Sequence, residues 1–145
     1  MRLEALAARA QGSALSERYP FAIEGSAVLT IDARPMVRAV DAELVAGEPH
    51  AAIARRFHNT VVAMIAELCA RIAERTGVRR VVLSGGVFAN ALITGPALQA
   101  LRERGLAAYA HERVPTNDGG LCAGQLAVAA RSSTARAATP ISGAF

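Results

Sequence analysis

The stretch Val81-Val82-Leu83-Ser84-Gly85-Gly86-Val87-Phe88-Ala89-Asn90 opens on three apolar residues, turns on two glycines and leads into a run with helical spacing. A short all-apolar strand of this kind is what a parallel sheet buries on both faces. In open α/β sheets, ligands bind outside the carboxyl ends of the strands. Glycines there let backbone approach a ligand, and the following helix start presents N–H groups to an anion. Two readings follow: a nucleotide-contacting loop, using the N–H groups of Gly85 and Gly86, or a plain tight turn. Asn90, at the helix start, either donates to a phosphate or sugar or serves as an N-cap. The pattern is neither GxGxxG nor a P-loop.

Working outward, Ile53, Phe57, Val61, Ile65, Leu68 and Ile72 recur every three or four residues and predict a long helix over about 50–75, stopped at Gly77. Upstream, Tyr19–Ile23 and Ala27–Ile31 read as strands joined at Glu24-Gly25-Ser26, a hairpin signal. Asp32 is expected to cap a helix running to about Ala46, with Pro35 in its first turn. Residues 3–10 have short helical spacing. Downstream, the spacing predicts a helix over about 89–103, a strand over Leu106–Ala110, a polar loop over 114–120 and a small-residue helix over Leu121–Ala130. From Ser132 the Ser/Thr/Ala/Pro composition predicts a disordered tail over 132–145. Residues 1–131 then form one α/β unit with parallel strands in its second half.

Composition limits the chemistry. The chain has 145 residues, 52% hydrophobic and 4% aromatic, enough for an aliphatic, alanine-filled core. All 16 basic residues are arginine, so lysine chemistry of every kind is excluded. The net charge of +4 is scattered, with no basic stripe or interleaved aromatics, which argues against nucleic acid. Ser84-Gly85-Gly86, Asn90 and Gly95-Pro96 interrupt the uncharged stretch over 81–101, which argues against a membrane span. The N-terminus has no signal-peptide pattern. Cys69 and Cys122 have no metal spacing and read as core thiols in a reducing compartment.

The second candidate loop is Val114-Pro115-Thr116-Asn117-Asp118-Gly119-Gly120. Asp118 is either the N-cap of the last helix or a metal ligand. Two glycines after an acid are costly in a helix, so something must approach that backbone closely. His50 and His58 are eight residues apart on one helix and cannot form an i,i+4 metal pair. His58 reads as a satisfied, half-buried histidine. His111 closes a strand with no evident partner, and Ser84 has no obvious base.

Three segments carry a family resemblance: Ala54-Arg55-Arg56-Phe57-His58; Val82-Leu83-Ser84-Gly85-Gly86-Val87-Phe88-x-Asn90; and His111-x-x-Val114-Pro115-x-Asn117-Asp118-Gly119-Gly120-x-x-x-Gly124-Gln125. In order and spacing they resemble the carbamoyltransferases that mature NiFe-hydrogenases (HypF), over roughly residues 1–130. The resemblance implies the C-terminal lobe of an actin/Hsp70-like ATPase (ribonuclease-H-like) fold, similar to the tRNA threonylcarbamoyladenosine synthase. It implies a cytoplasmic enzyme that uses carbamoyl phosphate and ATP, via carbamoyl-adenylate, to carbamoylate the C-terminal cysteine of a partner maturation protein in cyanide-ligand synthesis.

By the same resemblance, Ser84, Gly85, Gly86, Val87 and Asn90 contact the nucleotide, and Asp118 binds a divalent metal, Fe or Zn, with two histidines of an HxxxH motif. That motif is absent from this sequence. Met1–Ala7 resembles the middle of a family helix, so the chain is expected to be a fragment, a truncated gene or a split subunit. The remainder of the carbamoyltransferase domain is then a partner, and an exposed apolar face makes self-association an expectation. A tRNA threonylcarbamoyl- or small-molecule O-carbamoyltransferase lobe is the alternative enzyme reading, which the Pro-x-Asn-Asp-Gly-Gly loop argues against. A non-catalytic interaction module is the other alternative.

Overall fold

The computed structural model describes residues 2–137. Helix α1 spans Arg2–Ala7, strands β1 and β2 span Ala22–Glu24 and Thr30–Asp32, and helices α2 and α3 span Arg34–Val45 and His50–Thr76. Strand β3 (Arg80–Leu83), α4 (Ala91–Glu103), β4 (Ala107–Ala110) and α5 (Leu121–Ala137) follow, with 3-10 turns at Gly86–Ala89 and Asp118–Gly120.

The expected hairpin is present: β1 and β2 pair antiparallel, Ile23 opposite Ile31. Its turn needs glycine at Gly25, where φ is +94° and an added Cβ would collide with the Val28 carbonyl oxygen. Asp32 ends β2 rather than occupying the cap position of α2, which is Ala33. Its carboxylate still accepts the Arg34 N–H at 2.9 Å, one residue out of the expected frame. Arg34 also pairs with that carboxylate through its guanidinium, which holds Asp32 down to about 2.

Helix α3 is the spine. Its fully buried positions are mostly small: Ala54, Thr60, Ala63, Ala66 and Ala73. Of the larger residues that set the sequence period, Ile53 is buried, Phe57, Val61, Ile65 and Leu68 flank this strip half-buried, and Ile72 is exposed. Small residues on the contact line let α1 and α4 approach the helix backbone closely. Gly77, at φ +73°, closes α3 as expected.

Strands β3 and β4 are parallel, with Arg80 opposite Ala107 and Leu83 opposite Ala110. Helix α4 bridges them and supplies Ala97 and Leu101 to a core with Ala73, Leu83, Leu106 and Ala108. Only this face is covered. Val82 is 65% exposed and Tyr109 54%, so the expectation of a strand buried on both sides fails among the described residues. An all-apolar strand records how a face is used without saying that the covering element lies in the same stretch of chain. Cys122 is also exposed, against its reading as a core thiol, because it sits on the first turn of α5 away from that core; Cys69 is partly buried against it. Helix α5 continues to Ala137, so residues 132–137 of the expected tail are helical. Residues 138–145 lie outside the described residues.

A polar lock fastens the segment before the hairpin, and α2, to α3. The Tyr19 N–H donates to Thr60 Oγ1 at 2.8 Å, and that hydroxyl donates to the Arg56 carbonyl at 2.7 Å. The Tyr19 hydroxyl donates to the Glu43 carboxylate, which also accepts from Arg56 Nη1 at 2.9 Å. Arg56 Nε reaches Glu17 at 2.8 Å. No residue of α2 is fully buried, so this network is a main attachment of that helix. Burial, and then the Glu43 carboxylate, push the Tyr19 phenol above its ordinary value. A raised phenol stabilises the fold below the unfolded value of about 10, and that stability is lost as pH rises through the folded value. Denaturant titrations should therefore show stability falling above about pH 10. Tyr19→Phe should flatten that limb and lower neutral-pH stability by about 1–2 kcal/mol. An unchanged alkaline slope in Tyr19→Phe would contradict the assignment.

Candidate functional site

The parallel register builds the site. Leu83 and Ala110 are paired, so the next residues, Ser84 and His111, leave the sheet side by side at its carboxyl edge. Their side chains meet: His111 Nε2 lies 3.0 Å from Ser84 Oγ. The sequence reading found no partner for either residue. The signal was available, since two short parallel strands ending level place their following residues together.

After Ser84 the chain turns through Gly85 at φ +103° and ψ 163°, a conformation reserved for glycine. The Gly85 N–H donates to the Thr116 carbonyl at 2.8 Å and fastens the two candidate loops together. That N–H is therefore committed to the protein. A Cβ built on Gly85 or Gly86 meets nothing within 4 Å, so the surface over both glycines is open.

In the second loop, Asn117 rather than Asp118 caps the turn, its side chain accepting the Gly119 N–H at 3.1 Å. Asp118 begins the turn with its side chain exposed. The backbone that requires small residues here is the loop's own: a Cβ on Gly120 would collide with the Pro115 carbonyl oxygen.

Between the loops lies a cleft of about 890 Å³, walled by Ser84, Gly85, Gly86, His111, the 115–118 segment and the first turns of α5. It brings Ser84, Gly85, Gly86 and Asp118 together. Val87 and Asn90 are not in its wall. Val87 points to solvent, and Asn90 caps α4 behind the turn, its Oδ1 accepting the Leu92 N–H at 2.9 Å. The Glu4 carboxylate reinforces that helix end by accepting the Ala91 N–H at 3.0 Å.

A cleft of this size suits a mononucleotide. The metal expectation does not fit in the same way. Among the described residues there is no group of three His, Cys, Asp or Glu side chains that could hold an ion. Asp118 alone offers one carboxylate, short of the ligand set that Zn or Fe requires. No helix among the described residues is long and apolar enough to cross a membrane.

Comparison with known proteins places the chain in a family. Residues 1–125 match the family model described as the carbamoyltransferase Kae1-like domain, second subdomain. The chain is 32% identical over 123 residues to the carbamoyltransferase HypF of Synechocystis, covering 84% of this chain and 15% of that one. It is 39% identical over 101 residues to that of Rhizobium leguminosarum bv. viciae, covering 69% and 13%. A crystal structure of full-length HypF in its phosphate- and nucleotide-bound form superposes with a TM-score of 0.79 at 33% identity, over 88% of this chain and 16% of that one. The chain thus spans only 13–16% of the length of these relatives. It belongs to the HypF carbamoyltransferase family and has the α/β fold of the second subdomain of the family's Kae1-like domain.

Proposed function

We propose that this chain forms the nucleotide-facing wall of a cytoplasmic carbamoyltransferase. The whole enzyme takes carbamoyl phosphate and ATP, forms carbamoyl-adenylate, and passes the carbamoyl group to the C-terminal cysteine of a partner hydrogenase-maturation protein, toward a cyanide ligand of the hydrogenase. The observation that carries this reading is the cleft in which the open Gly85-Gly86 surface faces the Asp118 loop. A structurally similar relative is described with phosphate and nucleotide bound, which supports the same use of the cleft here.

In this reading Ser84 and Gly86 line the phosphate or ribose side, and Gly85 serves by holding the turn while keeping its surface bare. Val87 and Asn90 act from the turn's far end. Asp118 supplies a single metal ligand and the rest of the enzyme supplies the others. The uncovered apolar face, with Val82 and Tyr109, packs against the remainder of the carbamoyltransferase domain, or against a second copy when the chain is alone.

The 145-residue chain should bind ATP when followed by calorimetry or NMR. It should give no carbamoyl-phosphate-dependent ATP–pyrophosphate exchange, because its ligand set is incomplete. Absence of ATP binding would favour the interaction-module reading, and robust exchange would overturn the claim of incompleteness.

A further inference from the structure

His58 is a buried polar residue on the spine helix, only 2% exposed, and the mechanism above leaves it unused. Its surroundings fix its protonation pattern. Nδ1 lies 2.7 Å from the Ala54 carbonyl, which can only accept, so Nδ1 carries the hydrogen. Nε2 lies 2.9 Å from Asn90 Nδ2. The Asn90 amide is oriented independently, because its Oδ1 accepts the Leu92 N–H. Its Nδ2 therefore donates to His58 Nε2, and the ring is neutral with both nitrogens used. Turning the amide over would face its NH₂ toward a backbone N–H and its oxygen toward an unprotonated ring nitrogen, losing both bonds.

Asn90 is also where the glycine turn ends. Its N–H donates to the Val87 carbonyl at 3.1 Å, and its carbonyl accepts from Ile93 at 3.1 Å and Thr94 at 3.0 Å. Thr94 Oγ1 donates to the Phe88 carbonyl at 2.8 Å. One residue thus joins the Gly86–Ala89 turn to α4, and His58 ties its side chain to α3.

We propose that His58 is a positioning residue: through the Asn90 amide it fixes the Gly86–Ala89 turn in the geometry that receives the nucleotide. The ligand part of this statement rests on the nucleotide reading above; the positioning part does not.

The test is NMR of the 145-residue chain combined with ATP titration. In the unsubstituted protein, long-range proton–nitrogen spectra should show the His58 ring protonated on Nδ1 and bare on Nε2. His58→Ala should shift the backbone amides of Gly86, Val87 and Ala89 and weaken ATP roughly threefold to tenfold, the size of one lost hydrogen bond. The double variant His58→Ala/Asn90→Ala should bind ATP no more weakly than Asn90→Ala. His58→Gln, which retains an acceptor for Asn90, should recover part of the loss. A ring protonated on Nε2, turn amides unmoved by His58→Ala, or additive losses in the double variant would each overturn the proposal. If His58→Ala does not fold, the ring tautomer and His58→Gln decide. Failure of the unsubstituted chain to bind ATP would sink the nucleotide reading alone, and the tautomer and amide shifts would still decide the positioning role.

Discussion

Leu101→Ala should lower the unfolding free energy by about 2–5 kcal/mol, read as a fall in the midpoint of a urea titration with unchanged slope. Leu101 is fully buried, and it sits where α4 crosses the β3–β4 pair and α3. Three of the five other buried members of its core, Ala73, Ala97 and Ala108, are too small to close over the space that a lost isobutyl group leaves, and Leu83 and Leu106 are already buried in packed positions. The cavity contribution should therefore remain nearly in full. Domains of this size hold only about 5–15 kcal/mol in total, so the substitution removes a large share. Val45→Ala supplies the contrast, since Val45 is 83% exposed at the end of α2 and should change stability by less than about 0.5 kcal/mol. Equal losses in the two variants would mean that the core is not where the packing puts it.

The same alanine-rich packing explains what the sequence revealed and what it concealed. The long helix was legible because Ile53 through Ile72 keep a helical period, and Gly77 stops it for a reason that composition alone supplies. The fully buried strip of that helix was less legible. Four of its eight positions are Ala54, Ala63, Ala66 and Ala73, and alanine marks neither an inside nor an outside face. The parallel pair was legible from Val81-Val82-Leu83 and the helix after it. The bare outer face at Val82 and Tyr109 was not, because strand composition says nothing about which segment covers it.

For the site, the two glycine loops were visible as local patterns, but their meeting required the register. Leu83 opposite Ala110 brings Ser84 to His111, and Thr116 to the Gly85 N–H. His58, read as a satisfied, half-buried histidine, is satisfied at both ring nitrogens but fully buried, because it sits between α3's own carbonyl and the Asn90 cap. Its partner Asn90, 32 residues away, had to wait for the tertiary structure. Of the two original readings of Asp118, the capping one is lost. Asn117 has taken the capping role, which leaves the Asp118 carboxylate exposed at the cleft.

Gly120→Ala should damage the site through a steric clash with backbone. The built Cβ collides with the Pro115 carbonyl oxygen and lies 3.1 Å from Val114 Cγ1. The obstacle is backbone, and the proline ring fixes φ at that residue, so the clash cannot be relieved by turning a side chain. The strain must move the 114–116 segment or the first turn of α5. The next carbonyl along the segment, that of Thr116, holds the Gly85 N–H, so displacement of Pro115 reaches the other loop through one bond. Gly120 itself has no positive φ, so the cost is steric rather than conformational. Overpacking of this kind costs about 1–3 kcal/mol in stability. ATP affinity should fall by more than about tenfold, which corresponds to 1.4 kcal/mol of lost binding. Val45→Ala, exposed at the end of α2 and outside both loops, is the control and should leave ATP affinity unchanged. Intact ATP affinity in Gly120→Ala, with stability reduced, would show that the nucleotide does not depend on the junction of the two loops.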